Sequence, residues 1–144
     1  MIYLDASALV SLFMADVHSP AVRNYLRAER PVVGVSSFAV VEFASAVARR
    51  VRMGDLIPAQ ANHLLNVFDG WTAASAEPLD LEPADVRVAT TFVRRFELGL
   101  RAPDALHIAI CQRLELPLLT FDGHQATAAQ ELGILLDPLG PSTR

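Results

Sequence analysis

Ile2-Tyr3-Leu4-Asp5-Ala6-Ser7-Ala8-Leu9 opens with a short apolar run that ends on an aspartate and gives way to a helix-forming segment. Leu116 to Phe121, followed by Asp122, repeats that arrangement near the other end of the chain. Both read as a buried strand, an acid at its carboxyl end, then a helix. Between them the pattern alternates. Ala6 to Met14 and His18 to Arg30 are helical, with Pro31 as the break, and Val32 to Val35 has the β-branched content of a strand. Ser36-Ser37 supplies an N-cap for a helix to about Met53, with Val40, Ala44, Val47 and Val51 as its buried stripe. After the Gly54-Asp55 turn, Pro58 to about Ala74 forms the second arm of a helical hairpin, with Leu64, Leu65, Phe68 and Trp71 on its apolar side. Glu77 to Leu81 is a strand and Pro83 to Phe96 a helix stopped at Leu98-Gly99. A helix from Pro103 to about Leu114 is apolar nearly all round and is expected to be buried. The run closes with a helix to about Leu132 and a short strand Ile134 to Leu136. Strands separated by helices require crossovers, so the expected fold is α/β, a mostly parallel sheet with helices on both faces.

The 144 residues suit one domain, residues 1–137, with 138–144 as a loose tail. Hydrophobic residues at 52% against 19% charged exclude a disordered chain. The single cysteine, Cys111, fits a reducing cytoplasm. The start lacks the basic and long apolar regions of an export signal, and the longest uncharged apolar stretch, Pro31 to Val41, is too short to cross a bilayer. A soluble protein is expected. All twelve basic residues are arginine, which excludes P-loop nucleotide binding and Schiff-base chemistry. The net charge of -4 argues against nucleic-acid binding through a global positive field.

Asp5 and Asp122 fall where open α/β sheets bind ligands, beyond the carboxyl ends of strands. Each also precedes a helix and could serve instead as an N-cap. Asp104 lies in the first turn of the buried helix, where the dipole favours an anion. Glu42 sits two turns inside a helix amid Val40, Val41, Phe43 and Ala44, with no arginine at helical spacing, so it needs a partner from elsewhere. Four converging carboxylates would repel by about 4 kcal/mol per close pair at an effective dielectric of 20. A hard divalent cation with oxygen ligands resolves that repulsion. Setting these four aside leaves twelve acids against twelve arginines, a formally neutral remainder, so the charge deficit could sit in one place.

Four blocks in order resemble the PIN-domain nucleases, and most closely their VapC-type toxins: Ile2 to Leu9 with Asp5 and Ser7, Ser36-Ser37 with Val41-Glu42, Pro103-Asp104-Ala105-Leu106-His107-Ile108-Ala109, and Leu119-Thr120-Phe121-Asp122. The resemblance covers essentially the whole chain. It implies a Rossmann-like three-layer α/β/α sandwich and endonucleolytic hydrolysis of RNA with Mg²⁺, or Mn²⁺ in its place, one or two ions per site. By it Asp5 and Asp104 are direct ligands, Asp122 a second-metal or water-mediated ligand, and Glu42 an aid to metal binding and water activation. Ser7 and Thr120 would orient the site, and His107, one turn after Asp104, is read as a satisfied structural histidine. Implied partners are a small cognate antitoxin and a second copy of the chain, with no membrane. Many relatives carry a further acid shortly after the Asp122 position, where this chain reads Gly123-His124-Gln125, and the departure bears on the second ion.

Arg49, Arg50 and Arg52 suit the negative end of a helix, whereas Arg94, Arg95 and Arg101 stand near the entry to the Asp104 helix, where they could contact phosphate, a role the sequence alone does not assign. No interleaved aromatic pattern suggests a base-stacking platform. A haloacid-dehalogenase-type phosphohydrolase would need a second aspartate where this chain has Ser7. The same four acids would also suit a stand-alone RNA-processing nuclease, and a catalytically silent PIN-like module that only binds RNA or protein could retain them.

Overall fold

The computed structural model describes residues 1–140. Within them the chain runs β1 (Ile2–Leu4), α1 (Ala6–Phe13), α2 (Ser19–Glu29), β2 (Val33–Ser36), α3 (Ser37–Arg52), α4 (Pro58–Ser75), β3 (Ala76–Leu79), α5 (Pro83–Val93), α6 (Ala102–Leu114), β4 (Leu118–Leu119) and α7 (Gly123–Glu131). Strand order is β3-β2-β1-β4, and every pairing is parallel.

Alternation along the strands builds a core on each face of the sheet. Ile2, Leu4, Val33, Val35 and Leu119 point to one side, where they meet Leu9, Val22, Phe43 and Phe68 from α1 to α4. Tyr3 and Leu118 point to the other, against Ala89, Phe92, Ile108, Ile110 and Ala129 from α5 to α7. The result is the three-layer α/β/α sandwich expected. Both neighbours of β1 are reached by crossovers, β2 on one side and β4 on the other. The β1/β4 boundary is therefore the topological switch point, and crevices that bind ligands open at the carboxyl ends of such strands. Asp5 follows β1, and Thr120 to Asp122 follow β4.

Several local expectations shift. On α3 the fully buried positions are Ala39, Phe43 and Val47: Val47 is buried and Val51 packs against the core as expected, but in the first turns the inward stripe is one residue out of phase, with Val40 37% exposed. The structure closes α5 at Val93 and adds a 3-10 turn, Phe96–Leu98, before Gly99, whose φ of 59° suits glycine. The expected strand Ile134 to Leu136 is reduced to one parallel bridge between Leu136 and Leu118. Trp71 packs edge-on against Phe13, with ring centroids 5.2 Å apart. Beyond Asp137, the amides of Leu139 and Gly140 turn back onto that residue, and 141–144 of the expected tail lie outside the described residues. Among the described residues no helix is long and apolar enough to cross a membrane.

Candidate carboxylate site

Asp5 leaves β1 with extended backbone and becomes the N-cap of α1. Its Oδ1 accepts from the Ala8 amide at 2.9 Å and the Ser7 hydroxyl at 2.7 Å, and its Oδ2 from the Thr120 hydroxyl at 2.6 Å. Ser7 Oγ accepts the Phe121 amide in turn, and Thr120 Oγ1 the Asp122 amide. Ser7 and Thr120 thus tie the end of β1 to the end of β4 with Asp5 between them. The carboxyl is only 2% exposed and has no arginine among its partners. Burial pushes its pKa up, opposed by the electrostatic pull of His107 and the bonds from Thr120, Ala8 and Ser7.

Asp122 caps α7, its Oδ1 accepting from the amides of His124 and Gln125 at 2.9 and 3.0 Å. Asp104, 6% exposed, lies in the first turn of α6, where its Oδ2 is 3.4 Å from the Arg101 amide and 3.5 Å from Arg101 Nε. The capping uses foreseen for these acids are all real, and each capping carboxylate also lines one cavity. Glu42 reaches the same cavity from α3, whose start is fixed by Ser36 Oγ accepting the Ala39 amide.

Glu42 finds its partner on another helix. His107, 2% exposed, presents Nε2 to Glu42 Oε2 at 2.5 Å and Nδ1 to the Tyr3 hydroxyl at 2.6 Å, and Tyr3 in turn lies 2.7 Å from Ser36 Oγ. Burial raises the Tyr3 phenol well above its ordinary pKa, so it remains a donor. One proton arrangement uses every hydrogen: Ser36 donates to Tyr3, Tyr3 to Nδ1, and Nε2–H to Glu42. His107 is therefore a satisfied buried histidine, as read from sequence, and its satisfaction consists of holding Glu42. Spacing could not reveal this, because the pair is 65 residues apart.

The cavity holds about 290 Å³ and is walled by Asp5, Glu42, Asp104 and Asp122, with Ser7, His107, Gln125 and Arg101 around them. Its four carboxylates offer hard oxygen donors, and among the described residues no arginine bonds the buried Asp5. Hard divalent ions match that chemistry. Among the described residues no three acid, histidine or cysteine side chains converge tightly enough to enclose an ion directly. The volume leaves room for water between ion and carboxylates, the arrangement Mg²⁺ favours because it gives up its hydration reluctantly. Among the described residues the buried amide nitrogen of Gln125 has no hydrogen-bond partner, and Gln125 lines the acidic wall.

Of the arginines expected to meet phosphate, only Arg101 lines this cavity, and its side chain is 79% exposed at the mouth. Arg95 is paired with Glu97 at 2.8 Å. Arg49, Arg50 and Arg52 occupy the last turn of α3, as their dipole reading requires, and Arg50 lies 3.6 Å from Asp55. His124 bonds the Gly99 carbonyl at 2.9 Å.

Known proteins share both this fold and this sequence. The chain is 33% identical over 141 residues to Ribonuclease VapC46 of Mycobacterium tuberculosis, a match covering 92% of this chain and 93% of that protein. Its fold matches the crystal structure of Mycobacterium tuberculosis VapC20, a sarcin-ricin loop cleaving toxin, with a TM-score of 0.72 at 18% identity over 89% of this chain and 95% of that one. It also matches VapBC2 from Rickettsia felis bound to promoter DNA, with a TM-score of 0.71 at 17% identity over 95% and 98% of the two chains. A family model of the PIN domain aligns with residues 2–131, and the chain accordingly belongs to the PIN domain family.

Proposed function

We propose that this chain is a cytoplasmic, Mg²⁺-dependent endoribonuclease, a single domain over residues 1–137, acting as the toxin of a type II toxin–antitoxin pair. One observation carries the reading: four acids from separate elements face one cavity around Asp5, which is 2% exposed and bonded to no cation. The names of the relatives, a VapC ribonuclease and toxins of the same fold, support it.

Asp5 and Asp104 are the direct or nearest ligands in this reading, Asp122 a water-mediated or second-ion ligand, and Glu42 the group at the attacking water. When bound, Mg²⁺ or Mn²⁺, one ion or two, supplies Lewis-acid charge to the phosphate oxygens. The remaining work is positional. Three hydrogen bonds fix the Asp5 carboxylate, so its oxygens cost little reorganisation when the substrate arrives. The His107 Nε2–H holds Glu42 Oε2, leaving Oε1 to take the proton of the attacking water. Arg101 at the mouth meets a phosphate oxygen and draws the backbone towards the acids. A small cognate antitoxin beside the site and a second copy of the chain complete the proposed assembly.

The test is cleavage of structured RNA by the purified chain. Activity should require Mg²⁺ or Mn²⁺, vanish with a chelator, and vanish in a folded Asp5→Asn protein. Chelator-resistant cleavage would remove the metal mechanism, and a folded protein inert on every RNA would leave only a silent binding module. A short reading frame for a DNA-binding partner next to the gene supports the toxin role, and its absence favours a stand-alone RNA-processing nuclease.

A further inference from the structure

A second recess adjoins the carboxylate cavity, and its chemistry differs. It holds about 390 Å³ and shares Ala6, Ser7 and Glu42 with the cavity, so the two lie side by side. At its edge the rings of His18 and Phe121 lie face to face, centroids 4.3 Å apart and planes within 5°. Phe121 stands between Thr120 and Asp122 and is half-buried against the core. His18 is exposed and precedes α2 without capping it by its side chain. One face of the imidazole therefore rests on Phe121, while the residue as a whole stays exposed. Charge decides what the recess accepts. Asp16 and Glu42 line it and, among the described residues, no arginine does, so a phosphate is repelled and an uncharged planar group is not.

We propose that the His18–Phe121 stack is the platform of a nucleobase subsite, on which an unpaired base next to the scissile phosphate lies while that phosphate faces the acids. The inference rests on the ribonuclease reading and deepens it, because it makes the substrate locally single-stranded at the cut. Bases splayed from RNA loops are held in this way, by stacking on aromatic or histidine rings. Stacking is tolerant of sequence, so the platform selects an exposed base more than a particular one.

The experiment uses the full chain with Mg²⁺ and a single-stranded RNA whose cleavage position has been mapped. The same RNA is also made with an abasic residue on either side of the cut. His18→Ala should raise KM about tenfold with kcat little changed, the size expected for loss of one stacked base. His18→Tyr, which keeps a flat ring, should restore KM. One abasic RNA should cost the wild-type protein the same tenfold and cost His18→Ala nothing further. The subsite is overturned if His18→Ala cleaves like wild type, or if the abasic penalty persists undiminished in that variant. If the folded wild-type protein cleaves no RNA at all, the ribonuclease reading fails first and the subsite falls with it. Melting curves exclude misfolding, since His18 is exposed and its side chain bonds no cap.

Discussion

Two buried aspartates, one at the end of β1 and one in the first turn of α5, differ in one respect. Asp85, 1% exposed in the first turn of α5, is met by Arg113 from α6, with Nε 2.8 Å from Oδ1 and a terminal nitrogen 2.9 Å from Oδ2. The same guanidinium reaches Glu82 at 3.0 Å and the Asp80 carbonyl at 2.8 Å. Asp5, 2% exposed, is met only by hydroxyls and an amide. Burial alone does not mark a site, because both acids are buried and both cap helices. The missing counter-charge marks it. Where the fold supplies an arginine the acid holds two helices together, and where it supplies none the proposed function needs the counter-charge to come from solution.

The largest effect expected from this contrast is on catalysis. Asp5→Asn should lower kcat by about a thousandfold or more, roughly 4 kcal/mol of transition-state stabilisation. The metal-free protein should melt at or above the wild-type temperature, because burial already disfavours the charged form of Asp5 and asparagine caps helices as well as aspartate. A variant that loses activity by unfolding would show that the carboxylate is needed for architecture.

Arg113→Met tests the other side and should read out on stability instead. Removing one partner of a buried pair costs about 3–5 kcal/mol when the remaining charge is fully enclosed. Arg113 is 25% exposed, so the lower end, about 2–3 kcal/mol after solvent screening, is expected from denaturant midpoints. Turnover per folded molecule should not change. Wild-type stability in this variant would dissolve the distinction between the two acids.

Mg²⁺ sharpens the comparison without reference to turnover. An ion that binds only the folded chain stabilises it by about 2.7 kcal/mol at a hundredfold excess over its dissociation constant. Thermal melts of the wild-type and Arg113→Met proteins should rise with Mg²⁺, and those of Asp5→Asn should not. An equal rise in all three would place the ion elsewhere.

The sequence carried the parts of this molecule that are local. A strand, an acid and a helix in succession locate Asp5 and Asp122, and Ser36 before an apolar helix locates its cap. Pairings across the fold left no such trace. A search for the partner of Glu42 at helical spacing finds nothing, since His107 approaches from α6, and the same holds for Arg113 with Asp85 and for His18 with Phe121. The phase error on α3 has a related cause. Size favours valine inside, but the approach of α1 and α4 leaves room for Ala39 and Phe43 and turns Val40 outward.

The smallest effect concerns how firmly two of the acids proposed for catalysis are held. Asp5 is fixed by three short bonds, whereas Glu42, with 26% of its side chain exposed, is bonded only by His107, which in turn relies on Tyr3. Tyr3→Phe keeps the ring that packs beneath α6 and deletes only the hydroxyl, stranding His107 Nδ1 and freeing the imidazole to turn. The loss in stability should be about 1–3 kcal/mol, the cost of leaving a buried acceptor unpaired. If the chain from Ser36 to Glu42 also aims the acid at its water, kcat should fall about three- to tenfold at constant KM, a misalignment cost well below that of losing the group. A stability loss with kcat untouched would mean that the histidine serves the core alone, and that Glu42 finds its geometry in the bound ion and substrate.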